Sequence, residues 1–393
     1  MKNAIIVSKD AHWRTVMEGT LLGRGWQVAA VEGLIEGDRP DPAHVHAILV
    51  DAASVDTNSV SAWLNAEGKK LEIPLVMAPD LAHAEGLAVE LEAEEIPEVS
   101  GGRNVVRFWG VRGSIPSPGP DTAFYGGNTS CVELSVDGQL IILDAGSGIR
   151  TLGMNLMGRA AASKQPLEMS LLISHTHWDH IQGLPFFVPA YVPTNKLHVL
   201  GYSAVRHHLA EVLAMQMEPT YFPISMDDMP SHPDVHEVDD HFEIGPVKAI
   251  AFFTNHPGRC AGFRFETSSG SVAYVSDNEI NHDGQATHLP RETAEHLLQR
   301  MVDTLHGVRV LIHDAQYTRA EYQSKVGWGH SAVEDAVEMA GAAGVERLVL
   351  FHHDPMRSDA DVNRIVRTAR ELVAKHGWSM RVDAAREGME IHL

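Results

Sequence analysis

Only two cysteines, Cys131 and Cys260, occur among the 393 residues, so neither a disulfide framework nor a thiolate-rich zinc site is available. Such scarcity suits a reducing compartment. No stretch approaches the roughly 18–20 continuous apolar residues of a membrane span. The apolar run at 4–7 is too short for a secretory leader and leads at once to Lys9 and Asp10. The cytoplasm is therefore the expected location. Basic residues are also few: 31 Lys and Arg against 52 Asp and Glu leave a formal charge of −21. That balance argues against an extended nucleic-acid-binding surface. The glycine-rich segment at 125–131 lacks the Gly-Lys-Ser/Thr ending of a phosphate loop. No internal repeat or low-complexity tract stands out.

Histidine, by contrast, is plentiful, with 24 in the chain. Most read as ordinary surface or core residues, among them His207 and His208, and His232, His236 and His241 in an acidic stretch. One stretch differs. His175, His177, Asp179 and His180 fall within six positions, directly after the apolar run 169–173, which reads as a buried strand. Alternate residues of an extended segment point the same way, so His175 and His177 can hold one ion between them. The chain must then turn into a short helix, which aims Asp179 and His180 at a second ion beside the first. Imidazole and carboxylate suit zinc, manganese or iron, and the lack of thiolate argues against a closed structural zinc site.

With 44% hydrophobic residues the chain can bury a sizeable core, and its length suggests about two or three domains. Residues 1–92 read as a small α/β unit, with strands at 3–7, 45–50 and 73–77 and helices at 13–22 and 81–92. Residues 93–102 are acidic, contain Pro97 and end in Gly101 and Gly102, as a linker does. From 103 to 393, buried strands are expected at 104–109, 140–143, 169–173, 197–201, 310–315 and 347–351. Helices are expected at 204–217 and 332–343. Several apolar strands end in a polar residue with coordinating chemistry: Asp144, His256, Asp277 with Glu279 nearby, and the pair His352 and His353.

The H-x-H-x-D-H run from His175 to His180 resembles the signature of metallo-β-lactamase-fold hydrolases, in the phosphodiesterase branch that includes ribonuclease Z. The resemblance covers roughly residues 103–393. It implies an αβ/βα sandwich of two mixed sheets flanked by helices. It also implies two divalent ions, zinc first, with manganese or iron as alternatives. His175, His177 and His256 would hold one ion, and Asp179, His180 and His352 the other. Asp277 would share a carboxylate oxygen between them, beside a bridging hydroxide. His353 stays open as the alternative to His352, and Glu279 as the alternative to Asp277. Asp144 matches an acid that fixes a ligand histidine's tautomer, though a plain turn or capping role stays open. Asp179 and His330 take the catalytic roles, Asp179 on the nucleophile and His330 as proton donor to the leaving oxygen.

Residues 1–92 are similar to a flavodoxin-like receiver domain of two-component signalling, with Asp51 at the phosphoacceptor position. Ser8 and Lys9 replace the usual acidic pair, and Pro79 stands near the switch position, so the unit reads as degenerate. A docking or self-association role, giving a homodimer, is expected of it. The function implied for the whole is hydrolysis of a small phosphodiester such as a cyclic nucleotide. The alternatives are hydrolysis of a lactone-type ester on the same site, or a non-catalytic metal-containing sensor.

Overall fold

The computed structural model describes residues 104–203, 209–280 and 290–393, and in the N-terminal part four strands: β1 (Asn3–Val7), β2 (Gln27–Val31), β3 (Ala47–Asp51) and β4 (Leu75–Ala78). The chain divides into two compact units, one of Met1–Glu94 with Asp359–Asn363, the other of Glu95–Ser358 with Arg364–Leu393. In the first, the four strands run parallel in the order β2-β1-β3-β4. β2 is absent from the sequence-based expectation. Its Gln-Val-Ala-Ala-Val run is short and alanine-rich, which gives a weak strand signal. The expected helices at 13–22 and 81–92, the linker, and Ser8, Lys9, Asp10 and Pro79 lie outside the described residues.

The second unit is built on two mixed seven-stranded sheets. The first contains β5 (Val105–Gly110), β6 (Cys131–Val136), β7 (Gln139–Leu143), β8 (Glu168–Ile173), β9 (Lys196–Tyr202), β10 (Asp234–Val238) and β18 (Glu390–His392), in the order β10-β9-β8-β7-β6-β5-β18. The second runs β11-β12-β13-β14-β15-β16-β17: His241–Ile244, Val247–Thr254, Cys260–Thr267, Gly270–Val275, Val310–Asp314, Arg347–Phe351 and Arg381–Ala384. In each sheet an antiparallel part meets a parallel part. β7 to β10 are parallel, and so are β14 to β17.

Alternation along the strands fills two separate cores. Ile141, Leu143 and Leu172 face the inter-sheet core, with Phe263, Phe265, Tyr274, Ile312 and Phe351 from the second sheet. Ile142, Leu171 and Ile173 face the other way, against helix α1 (Gly148–Ser163) through Ile149, Leu152 and Leu156. Strands buried on both faces read as continuous apolar runs, which is why 140–143 and 169–173 are legible in the sequence. Helix α2 (Trp178–Ile181) follows β8, and α3 (Leu209–Met215) falls within the expected helix 204–217 and stops two residues before its expected end; the first five residues of that expectation lie outside the described set. Helices α4 (Arg291–Leu305), α5 (Val333–Ala342) and α6 (Asp359–His376) are the longer helices of the C-terminal part. No helix among the described residues is long and apolar enough to cross a membrane.

Parallel strands gather their C-terminal ends on one side, which is where open α/β sheets bind ligands. Here β7 ends before Asp144, β8 before His175, β14 before Asp277 and β16 before His352, while β15 ends in Asp314 itself.

Candidate metal centre

His175 and His177 follow β8, His177 in extended backbone, and α2 starts at once with Trp178. The turn is fastened from behind by Asp144. Its Oδ1 accepts the Ser174 N–H at 2.7 Å, and its Oδ2 accepts Ser174 Oγ at 2.8 Å and Tyr274 Oη at 2.7 Å. The same Oδ2 lies 2.8 Å from His180 Nδ1. A carboxylate there holds the ring proton on Nδ1 and turns the Nε2 lone pair into the site. Asp144 takes this position at the cost of a left-handed backbone, φ 62°.

Asp277, just past the end of β14, sits between two groups of side chains. Its Oδ2 lies 3.7 Å from His175 Nε2 and 3.7 Å from His256 Nε2. Its Oδ1 lies 3.2 Å from His180 Nε2 and 3.4 Å from His352 Nε2. His256 Nε2 also lies 3.1 Å from His177 Nδ1, and Asp179 Oδ2 lies 3.2 Å from His180 Nε2 and 3.1 Å from His352 Nε2. Two trios result, His175 with His177 and His256, and Asp179 with His180 and His352. Asp277 thus stands between the two trios, as the sequence leads one to expect, with one of its oxygens turned to each.

These groups fit cations. His175 Nε2, His180 Nε2 and Asp277 Oδ1 are buried without a hydrogen-bond partner, an arrangement that costs free energy unless something fills the space between them. Burial, with His180 beside it, holds His175 well below its ordinary pKa, and burial pushes His256 down to about 4, so both rings are neutral donors. Burial alone would raise the Asp277 carboxyl, but His352, His180, His175 and His256 hold it well below the usual range. Burial opposes charge on His180, yet Asp179, Asp277 and Asp144 raise it well above the usual value. A proton is drawn there by the surplus of carboxylate, and a divalent cation answers the same demand. His177 alone of the seven side chains is exposed, which leaves the pocket open to solvent.

Neighbouring backbone fixes the ligand candidates. His256 Nδ1 donates to the Gly329 carbonyl at 2.9 Å, and the Ser114 N–H donates to Asp179 Oδ2 at 2.7 Å. His352 adopts φ 57°, and its ring packs so closely on Gly113 that a Cβ there would lie 2.4 Å from it.

The open alternatives separate cleanly. His353 turns into the core, where Nε2 donates to the Ala385 carbonyl at 2.9 Å and the ring meets Tyr125 edge-on. Burial pushes its pKa down to about 3. Glu279 turns away from Asp277 and accepts from Tyr322 Oη at 2.6 Å, the Gly327 N–H at 2.7 Å and the Gly329 N–H at 3.1 Å. It anchors the loop that carries His330.

His330 stands against the centre, its ring stacked on His352 at 4.9 Å and 5.3 Å from His256. Its Nδ1 lies 2.9 Å from Asp314 Oδ2. Burial lowers its pKa, but the Asp314 charge and hydrogen bond outweigh burial and raise it to about 9. Asp314 is a residue that sequence reasoning passes over, although β15 shows the same signal as β7 and β14, an apolar strand ending in an acid.

A sequence model of the β-lactamase superfamily domain matches residues 140–353. Ribonuclease Z of Natronomonas pharaonis is 25% identical over 283 residues, 63% of this chain and 86% of that protein. Ribonuclease BN of Cronobacter sakazakii is 22% identical over 265 residues, 58% and 83% of the two chains. Among solved structures, unliganded yeast PDE1 superposes with a TM-score of 0.55 at 13% identity, over 74% of this chain and 100% of that one. The metallo-β-lactamase-fold protein YhfI of Bacillus subtilis gives 0.52 at 18% identity, over 73% and 98%. The matched segment contains every residue of the two trios together with Asp277 and His330, and the chain belongs to the β-lactamase superfamily, with the metallo-β-lactamase fold.

Proposed function

We propose that this metal-dependent hydrolase is a phosphodiesterase that cleaves a small phosphodiester, a cyclic nucleotide being the leading example. One observation carries the reading: Asp277 turns one carboxylate oxygen to each of two His/Asp trios, with His330, its Nδ1 engaged by Asp314, stacked on His352 at the same wall. In this reading His175, His177 and His256 hold one divalent ion and Asp179, His180 and His352 the other, zinc being favoured over manganese or iron. Such ions acidify a bound water and neutralise charge on phosphoryl oxygens.

The chain's own groups do the rest. Asp179, held by the Ser114 N–H, orients the attacking water and accepts its proton. His330 keeps Nδ1 engaged with Asp314, so Nε2 is the nitrogen that delivers a proton to the departing alkoxide. A lactone or thioester leaves one oxygen anion to stabilise, whereas a phosphodiester carries its charge throughout and makes fuller use of paired cations. The net charge of −21 disfavours a long polyanion and supports a small substrate, although relatives are ribonucleases. The N-terminal unit is proposed for docking or self-association into a homodimer; light scattering that shows only monomer would remove the self-association.

The test is hydrolysis of bis(p-nitrophenyl) phosphate and of cyclic nucleotides by protein loaded separately with zinc, manganese and iron. The expected result is metal-dependent turnover that falls at least about 100-fold in Asp179→Ala, in keeping with loss of a positioned base. Turnover of lactones but not of phosphodiesters would move the reading to another ester. Full metal content without hydrolysis of any ester would point to a sensor.

A further inference from the structure

We propose that His198, Asp234 and His236 form a separate site for one divalent transition-metal ion of the zinc, nickel or copper type, at the far end of the first sheet. β9 and β10 run parallel with Asp234 directly opposite His198, and His236 lies two residues on, which brings all three side chains to one face. One ligand atom of each lies within 4.8 Å of the others. Asp234 Oδ2 is 3.7 Å from His198 Nδ1 and 2.6 Å from His236 Nε2. Tetrahedral zinc, with ligands at about 2.0–2.2 Å, sets its donors roughly 3.3–3.5 Å apart, so His198 stands near the required spacing and an entering ion would displace the proton of the His236–Asp234 hydrogen bond and part that pair by under about 1 Å.

A second observation points the same way. Glu168 Oε1 lies 3.5 Å from His198 Nε2, on the side of the ring opposite Asp234, and Glu168 is itself steadied by Lys196 at 3.2 Å. With a cation at Nδ1, the carboxylate beside Nε2 would hold the remaining ring proton there, and the Nδ1 lone pair would face the ion shared with Asp234. Metal-ligating histidines use their free nitrogen in this way. Side-chain exposures of 35% for His198 and 54% for both Asp234 and His236 leave entry open and allow water to complete the coordination shell. β10 is the edge strand of its sheet, so an ion here would pin the edge to β9.

The site is distinct from the centre described above. His198 pairs with Ser170 of β8 and His236 is level with Leu172, so the ligands lie about 10–17 Å short of His175 along the sheet and one or two strands to its side. The three ligands belong to neither trio, and the site stands whatever ester the centre hydrolyses.

The experiment is equilibrium dialysis of the full chain against buffered free zinc, with bound zinc counted by atomic emission, for the wild type, His198→Gln and His236→Gln. The wild type should hold one equivalent more than either variant, with melting temperatures in chelator unchanged. Glu168→Gln should keep that equivalent but weaken its binding about 10–100-fold. Equal zinc in the wild type and both variants would overturn the proposal. A loss in only one of the two histidine variants would also overturn it, because the site needs both rings.

Discussion

His330 Nδ1 lies 2.9 Å from Asp314 Oδ2, so the connection that leaves β15 at Asp314 folds back and brings His330 onto the end of its own strand. That contact keeps a buried imidazole charged, because Asp314 outweighs the burial that would otherwise neutralise the ring. It also fixes which nitrogen faces away from the protein's own acid.

Asp314→Asn should therefore weaken catalysis through His330 while leaving the metal ligands in place. With the carboxylate gone, burial lowers the His330 pKa, so the protonated form is lost at lower pH than in the wild type. The alkaline limb of the kcat profile should move to lower pH, and kcat should fall about 100-fold for an alkoxide leaving group. A p-nitrophenolate leaving group, which needs less protonation, should suffer less. An unchanged alkaline limb would remove the proton-donor role.

Asp144 acts through other residues. It accepts from Ser174 N, Ser174 Oγ and Tyr274 Oη and faces His180 Nδ1, so Asp144→Asn cannot satisfy all four. Metal affinity should fall about 10–100-fold, read by competition with a chromogenic chelator. Excess metal should restore most of the turnover, which a direct ligand variant would not allow.

The adjacent pair His352 and His353 should behave in opposite ways. His352→Ala should lose metal and turnover with little change in the melting temperature of the metal-free protein. His353→Ala removes a buried ring and its hydrogen bond to Ala385, and should cost about 2–4 kcal/mol of stability while metal content holds. Calorimetry and metal analysis on the two variants separate the roles.

Gly113→Ala places a Cβ 2.4 Å from the His352 ring, which must move. Turnover and metal affinity should both drop, although Gly113 carries no coordinating group. Turnover equal to the wild type would mean the ring has freedom that its packing does not suggest.

Much of this is legible because strands buried on both faces are continuous apolar runs, and the residue after such a run must leave the sheet. That logic finds 140–143 and 169–173 and puts Asp144, His175 and Asp277 at strand ends. It fails for β2, whose alanines carry little strand signal, and for β13, whose role as the antiparallel partner of β12 and β14 depends on pairing across the sheet. It also passes over Asp314, since an acid after a strand acquires a role only when a loop brings His330 to it. His236 reads as a surface residue in an acidic stretch until the register of β10 on β9 sets it beside His198 and Asp234.

By itself the sequence determined the fold class and the local half of the centre, because backbone periodicity and a six-residue motif are short-range properties. Tertiary structure decided which of two neighbouring histidines faces the site, through the left-handed φ of His352 and the carbonyl that captures His353. It also decided how Asp277 divides its oxygens and which acid charges His330. These are contacts between residues tens to hundreds of positions apart, and they exist only once two sheets have packed their strand ends onto one side.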